Sequence, residues 1–206
     1  VNLCQFYRWM VGLVSKEYCD EDLKRPAVVF SPHFDDETLG CGGTIIKKKR
    51  AGADVNIVFM TDGSKSHRHI ISEDKLKAIR ASEGLAASRA LGLKTSDVFL
   101  LGFEEMKLRE HMNSATKRVI DILMLQQPEE VFIPFNKEPP LWSLDHLVTN
   151  RIVRSALQTY GKKVVIYEYP IWFWYTWPWA IPPTLSLQEF LKFSKNSLVS
   201  GFRLLK

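Results

Sequence analysis

At residues 27–37 the chain reads AVVFSPHFDDE. The first five residues form a short and mostly apolar run that is rich in β-branched and aromatic side chains, which predicts a buried strand. The next six bring one histidine and three carboxylates directly after that strand, where a helical pattern begins. A strand that runs straight into a polar cluster and a helix is typical of the repeating unit of a parallel sheet.

Further along the chain, short apolar runs alternate with longer helical patterns. The predicted strands after the first lie at 54–60, 97–101, 131–134 and 164–167, and the predicted helices lie at 38–50, 72–91, 113–127 and 145–160. This alternation predicts an α/β, Rossmann-like fold, in which a mostly parallel sheet is flanked by helices on both faces.

The composition fits a globular protein. The chain has 206 residues, 46% hydrophobic and 25% charged, which suits one domain with a sizeable core and excludes a disordered chain. We expect a single domain over 1–206, with its core at 26–170 and an aromatic segment and amphipathic tail at 169–206. Three cysteines argue against a disulfide scaffold and favour a cytoplasmic location. Charged residues interrupt the apolar run that a signal peptide would need in the first 20 residues. Because the chain begins with Val1, it stays open whether a further segment precedes it.

The charge pattern bears on partners. The net charge of +5 permits contact with anionic groups, but no basic stripe is interleaved with aromatic residues, so we expect no nucleic-acid partner. The one tight basic run, Lys47–Arg50, is predicted to be a solvated last turn of a helix.

Ligands of parallel α/β sheets bind beyond the carboxyl ends of the strands. In the first such segment His33 and Asp36 are three residues apart and can turn toward one ion, and a nitrogen with an oxygen ligand suits Zn²⁺ or another divalent ion. Asp35 then points elsewhere and can act as a base toward an activated water. The alternative is that the acidic residues only stabilise a helix N-terminus, which leaves His33 without a role.

A catalytic zinc typically has three protein ligands, and His146 is the candidate for the third because it follows the fourth strand. Asp145 is a candidate for orienting a histidine, although it could equally cap the following helix. His67 and His69 lie in a polar loop after the second strand, where they either contact substrate or have no specific role.

Three glycines, at positions 40, 42 and 43, follow the first cluster. Their spacing matches neither common phosphate-binding loop, so we predict that they allow this helix to approach the sheet closely. Cys41 among them is predicted to be a small buried side chain rather than a metal ligand.

Several segments between residues 27 and 170 resemble the PIG-L/LmbE-like family of zinc-dependent N-acetylglucosaminyl de-N-acetylases. The matching segments are 32–44, 61–63, 80–83, 91–92, 101–105 and 145–146. The resemblance implies that His33, Asp36 and His146 hold one zinc ion per chain, with another divalent ion as the alternative. It implies that Asp35 is the general base in hydrolysis of the N-acetyl group of an N-acetylglucosamine-type sugar or its conjugate, as in glycan biosynthesis. On the substrate side we expect Arg80, Glu105, His67, Ser143 and Asp145.

This sequence departs from the family pattern at three positions. Phe34 replaces a proline, and Glu105 stands where aspartate is commoner. Ser143 stands near the place where many relatives carry a histidine that stabilises the charged intermediate, and a serine supplies no cation. His67, His69 or Arg80 would have to substitute. The alternative function is a catalytically weak or inactive relative that binds sugar or metal.

The segment 169–188 carries no charge and contains four of the six tryptophans. Its prolines argue against a straight membrane-spanning helix. We expect the aromatic residues to line the substrate cleft or pack on the core, and the alternative is peripheral membrane contact through residues 169–206. The group attached to the sugar and the oligomeric state stay open.

Overall fold

The computed structural model describes residues 9, 12–13, 18–66, 70–138 and 144–172. The strands are β1 (Ala27–Ser31), β2 (Val55–Thr61), β3 (Val98–Phe103), β4 (Glu130–Pro134) and β5 (Val165–Tyr169). The helices are α1 (Asp20–Leu23), α2 (Asp36–Arg50), α3 (Glu73–Ala90), α4 (Met112–Gln126) and α5 (Asp145–Tyr160), with 3₁₀ turns at Thr95–Asp97 and Leu108–His111.

The five strands form one parallel sheet in the order β3-β2-β1-β4-β5. In the central strand β1, Ala27 is in register with Val55 of β2 on one side and with Glu130 of β4 on the other. The chain therefore builds the sheet outward from β1 in one direction through β3, and then returns to the other side of β1 with β4. Ligands of open α/β sheets bind where the strand order reverses in this way.

Alternate residues of the strands face two separate layers of helices. Val28 and Phe30 point into a core formed with α4 and α5. Ala27 and Val29 point into a second core, to which α2 and the residues directly after α3 contribute. All five residues of β1 are buried, as expected for a strand covered on both faces. The predicted α/β fold with helices on both faces is confirmed.

The predicted elements agree with the structure to within a few residues. Helix α5 has the predicted bounds, whereas β5 extends beyond the predicted end at Tyr167, through Glu168, to Tyr169. The charge of Glu168 interrupts the apolar run, but its Oε1 accepts hydrogen bonds from Asn150 (2.7 Å) and Arg154 (3.0 Å). Because Asn150 and Arg154 satisfy its carboxylate, Glu168 can lie within β5, although the apolar pattern of the sequence ends at Tyr167.

The basic run at the end of α2 differs from its prediction at one residue. Helix α2 ends at Arg50, but Lys48 is 1% exposed rather than solvated. Its Nζ lies 2.6 Å from Oε2 of the fully buried Glu130 and donates to the carbonyl oxygens of Asp22 and Arg25 at 2.8 Å. The prediction of a solvated turn is therefore wrong for Lys48, because it pairs with the buried carboxylate of Glu130 at the start of β4.

The glycines of α2 fulfil their predicted role at one position. A Cβ added to Gly40 would lie 2.3 Å from Cδ2 of Tyr169, so only glycine allows α2 to approach β5 this closely. Gly42 would meet only ordinary contacts, and Gly43 has open space. Cys41 is buried in the core, and this burial raises the pKa of its thiol.

None of the helices within the described part of the chain is both long enough and apolar enough to cross a membrane. Most of the aromatic segment and the whole amphipathic tail, residues 173–206, lie outside the described residues. The expectations for them, and the single-domain assignment for 1–206, stay predictions.

Candidate metal centre

The loop between β1 and α2 is held in shape by residues at its two ends. The Ser31 hydroxyl donates to the carbonyl oxygen of His33 at 2.7 Å, and the backbone N–H of Glu37 donates to Ser31 Oγ at 3.1 Å. Glu37 is fully buried, which raises its pKa, and Thr38 donates to its Oε1 at 2.6 Å. These hydrogen bonds of Ser31 and Glu37 fix the backbone on either side of His33.

The structure brings His33, Asp36 and His146 together beyond the carboxyl ends of β1 and β4. One ligand atom from each side chain lies within 4.8 Å of the others. Asp36 Oδ2 is 3.2 Å from His33 Nδ1 and 3.3 Å from His146 Nε2. Asp36 and His146 are each 2% exposed. Residues that are 110 positions apart in sequence meet because their two strands are neighbours in the sheet.

Both ring nitrogens of His146 are buried without a hydrogen-bond partner among the described residues. Burial lowers the pKa of His146 despite the nearby Asp36 carboxylate, which keeps the ring neutral. Burial acts against the charge of Asp36 as well, but His146 and His33 hold the pKa of this carboxyl below its usual value. A neutral imidazole with an unpaired nitrogen beside an ionised carboxylate is the donor set that a divalent cation requires. These residues therefore fit a metal ion.

The far edge of the His33 ring faces two more carboxylates. Its Nε2 lies 3.3 Å from Asp145 Oδ2 and 3.9 Å from Glu105 Oε1. Burial alone would lower the pKa of His33, but the hydrogen bonds to Asp145 and Asp36 raise it to about 10. Asp145 also accepts the backbone N–H of Met106 at 2.7 Å, and Glu105 Oε2 accepts the backbone N–H of Lys65 at 2.6 Å. Both carboxylates are buried. The metal group, which is the set His33, Asp36 and His146, is therefore bordered by two further acidic side chains next to the His33 ring.

Asp35 lies outside the metal group. Its side chain is 52% exposed, and its Oδ2 accepts a hydrogen bond from Arg80 NH2 at 3.1 Å. The same nitrogen of Arg80 donates to the Phe34 carbonyl at 3.0 Å, and NH1 pairs with Glu83 at 3.0 Å. Helix α3 thus aims one arginine at the loop that carries Asp35, and the second carboxylate of the motif stays accessible.

Phe34, which stands where the family pattern has a proline, is a structural residue of the loop. Its ring is 6% exposed and lies with its centroid 4.6 Å from that of Phe59 in β2. Cβ atoms added to Gly63 and Gly84 would lie 3.0 Å and 2.4 Å from this ring. The one apolar side chain in an otherwise polar loop was the signal that it packs inward.

Three residues predicted to lie near the substrate, His67, His69 and Ser143, are outside the described residues. The aromatic segment reaches the site through Trp172, whose ring centroid is 6.4 Å from that of His146. The described start of this segment therefore lies beside His146, and the expectation that the aromatic residues line a substrate cleft stays a prediction.

A parallel five-stranded sheet with a His-Asp-His group beyond two adjacent strands defines an α/β protein with a candidate metal centre. The model of the family PIG-L, GlcNAc-PI de-N-acetylase, matches residues 28–157. The chain belongs to this family, as the resemblance of its motifs predicted.

One curated relative is the diacetylchitobiose deacetylase of Thermococcus kodakarensis, which is 29% identical over 114 residues. That match covers 55% of this chain, which spans only 41% of the length of the relative. Among solved structures, the N,N'-diacetylchitobiose deacetylase of Pyrococcus horikoshii with an inhibitor bound superposes with a TM-score of 0.64 at 22% identity. That superposition covers 97% of this chain and 79% of the other.

The fold also occurs in a protein with a different reaction. GalB, the 4-carboxy-2-hydroxymuconate hydratase of Pseudomonas putida KT2440, superposes with a TM-score of 0.55 at 22% identity. The superposition covers 70% of this chain and 65% of that protein. Fold alone therefore does not assign the reaction, and the assignment depends on the residues of the site.

Proposed function

We propose that the chain is a zinc-dependent hydrolase that removes the acetyl group from an N-acetylglucosamine-type sugar or its conjugate. The observation that carries the proposal is the convergence of His33, Asp36 and His146 in a member of the PIG-L family. The deacetylase activity named for the relative from Thermococcus kodakarensis supports the same reaction class.

The separations of Asp36 from the two histidines are compatible with zinc. Two ligands that each lie about 2.0–2.1 Å from a tetrahedral zinc ion are about 3.3–3.4 Å apart. The separations of 3.2 and 3.3 Å from Asp36 Oδ2 to the two histidines are close to that value. Three protein ligands leave one position open, as in catalytic sites. When bound, zinc supplies Lewis acidity, which polarises a carbonyl and lowers the pKa of water to about 7.

Asp35 is the residue that we assign as general base. Its carboxylate is accessible, lies one residue before the ligand Asp36 and is held by Arg80. It accepts a proton from the water that attacks the acetyl carbonyl carbon, so that a new C–O bond forms there. When the C–N bond breaks, Asp35 returns this proton to the leaving nitrogen, and the products are acetate and a free amino sugar.

On the substrate side we place Arg80 and Glu105, with His67 and Ser143 from the segments that follow β2 and β4 in the chain. Arg80 is partly exposed beside Asp35 and can offer its guanidinium to a hydroxyl or a developing negative charge. Because Ser143 brings no cation, Arg80 is also our candidate to replace the missing histidine. Loss of a single donor to such a charge costs about 10²–10³ in rate, so this replacement determines whether the enzyme is efficient.

The test is acetate release by the zinc-loaded chain from a panel of N-acetylglucosamine conjugates that differ in the attached group. We expect turnover on at least one, and we expect Asp35→Asn to keep zinc while kcat falls by about 10²–10⁴. Glu83→Gln is the matched control, because Glu83 is an exposed partner of Arg80 that pairs with NH1, whereas Asp35 accepts from NH2. Full activity of Asp35→Asn would contradict the assigned base.

The second candidate function is a sugar- or metal-binding relative with weak or no turnover, and the observation that favours it is Ser143. This candidate predicts that the zinc-loaded chain binds an acetamido sugar in calorimetry yet releases no acetate from it. Acetate release at ordinary enzymatic rates would exclude it.

A further inference from the structure

We propose that Asp145 is a positioning residue that fixes the imidazole of His33 so that Nδ1 faces the metal ion. This inference rests on the metal centre of the proposed function. It gives Asp145 a task that does not require contact with the sugar, in keeping with a side chain that is only 2% exposed.

The two nitrogens of His33 have different surroundings. Nδ1 lies 3.2 Å from Asp36 Oδ2, the atom that is also 3.3 Å from His146 Nε2, so this edge of the ring faces the other two ligands. Nε2 faces away from them, toward Asp145 Oδ2 at 3.3 Å. When the lone pair of Nδ1 binds a cation, the ring proton is on Nε2, and Asp145 is placed to accept it. A carboxylate in this position fixes both the tautomer and the orientation of a ligand histidine.

Asp145 is itself held by a second donor. The backbone N–H of Met106 donates to the same Oδ2 at 2.7 Å. Met106 has a φ of 69°, in the left-handed region that an ordinary side chain seldom adopts. The loop after β3 therefore takes an unfavourable backbone conformation in the residue whose N–H reaches Asp145. Glu105 from this loop adds a second carboxylate oxygen 3.9 Å from His33 Nε2.

These contacts connect three segments of the chain at one imidazole. His33 belongs to the loop after β1, Met106 to the loop after β3, and Asp145 is the first residue of α5. His146 follows Asp145 directly in α5. Displacement of the start of α5 would therefore move His146 itself and would also remove the contact that holds His33. We therefore expect the loss of Asp145 to weaken metal binding even though Asp145 does not touch the ion.

A competing explanation is that Asp145 only stabilises the first turn of α5, where acidic residues are favourable. That role would change the stability of the fold and leave the affinity for metal unaltered. Asp74 is an exposed acidic residue in the first turn of α3, so Asp74→Ala measures the helix-end effect alone.

The experiment measures zinc affinity by competition with a chromogenic chelator in Asp145→Ala, Asp145→Asn, Asp74→Ala and the unaltered chain, without substrate. We expect the zinc Kd of Asp145→Ala to rise about 10- to 100-fold, the range found for second-layer partners of metal ligands. Asp145→Asn should bind more tightly than Asp145→Ala, because an amide oxygen can still accept both hydrogen bonds. Asp74→Ala should keep the original Kd. In the zinc-loaded unaltered chain, imidazole ¹⁵N spectra should show His33 protonated at Nε2.

A zinc Kd of Asp145→Ala within twofold of the original overturns the inference, as does protonation of His33 at Nδ1 in the zinc-loaded chain. If Asp145→Ala does not fold, the same Kd comparison with Asp145→Asn decides: a neutral amide accepts more weakly than a carboxylate, so its zinc Kd should be raised severalfold, and a value equal to the original overturns the proposal. Failure of the hydrolase proposal is visible separately: such a chain would bind zinc with the expected dependence on Asp145 and release no acetate.

Discussion

The ring of Phe34 occupies the space that a Cβ on Gly84 would need, with Cδ1 of the ring 2.4 Å from that position. Helix α3 can therefore approach the loop between β1 and α2 only because residue 84 has no side chain. The same loop carries His33 and Asp35, so an apolar contact at its base helps to place two polar groups of the site.

Gly84→Ala is expected to destabilise the chain by about 1–3 kcal/mol, because an aromatic ring in a packed core cannot move aside without strain. Chemical denaturation monitored by circular dichroism measures this change. The sign of the change in the free energy of unfolding is informative, because alanine at an exposed helical position is favoured over glycine by about 1 kcal/mol.

Gly43→Ala in α2 is the matched control, because a Cβ there has no atom within 4 Å. It should stabilise the chain slightly. If both substitutions changed the free energy of unfolding in the same direction, the packing of Phe34 against α3 would have to be revised.

Arg80→Lys is expected to lower kcat by about 10- to 10²-fold, because a lysine lacks the rigid planar fork that fixes the position of Asp35, and small displacements of a reacting group are costly. Steady-state kinetics of acetate release separate this effect from a change in KM. Glu83→Gln, which removes the other carboxylate partner of Arg80, should leave kcat within about twofold. A kcat of Arg80→Lys equal to that of the unaltered chain would show that Asp35 needs no support from α3.

His146→Leu is expected to leave the free energy of unfolding of the metal-free chain unchanged, or to raise it by about 1 kcal/mol. The reason is that the buried nitrogens of His146 have no hydrogen bond in the described structure, so the relief of their desolvation cost at least offsets the loss of the interaction with Asp36. Zinc at a concentration of about 100 Kd should stabilise the unaltered chain by about 2.7 kcal/mol.

The same concentration of zinc should leave the melting temperature of His146→Leu unaltered. Calorimetry with and without zinc measures both results. An equal zinc-dependent rise in the two proteins would place the ion elsewhere in the chain.

Lys48→Met is expected to destabilise the chain by about 3–5 kcal/mol, because it leaves the carboxylate of Glu130 buried without its cation. Lys47→Met, at an exposed position one residue earlier in α2, should change stability by less than about 0.5 kcal/mol. Urea unfolding of the two variants gives the comparison. A small effect of Lys48→Met would indicate that Arg25, 3.7 Å from Glu130, is a sufficient partner.

The fold was predictable because its signals are local. The apolar run Ala27–Ser31 identifies β1, and Gly161, with a φ of 71°, marks the end of α5. The three candidate ligands could be predicted for a related reason. Each of them follows a predicted strand, and the carboxyl ends of parallel strands meet at one edge of the sheet. That rule brings His33 and His146 together without any knowledge of packing.

The rest depends on contacts between segments that are distant in sequence. Lys48 resembles its exposed neighbours in sequence, and only its approach to Glu130 shows that it is buried. Asp145 was a candidate for orienting a histidine, but only the structure shows that this histidine is His33 and that the backbone N–H of Met106 donates to the same carboxylate oxygen. No periodicity or spacing encodes a meeting of three loops.

The position of β1 between β2 and β4 has a consequence for the order of events during folding. Residues 27–103 could assemble as a three-stranded unit with His33 and Asp36 in place, yet this unit lacks His146. An ion could be held by all three ligands only after the later strands have docked along the free edge of β1. Tight metal binding would then follow the docking of β4 and the start of α5, rather than nucleate the folding of β1, β2 and β3.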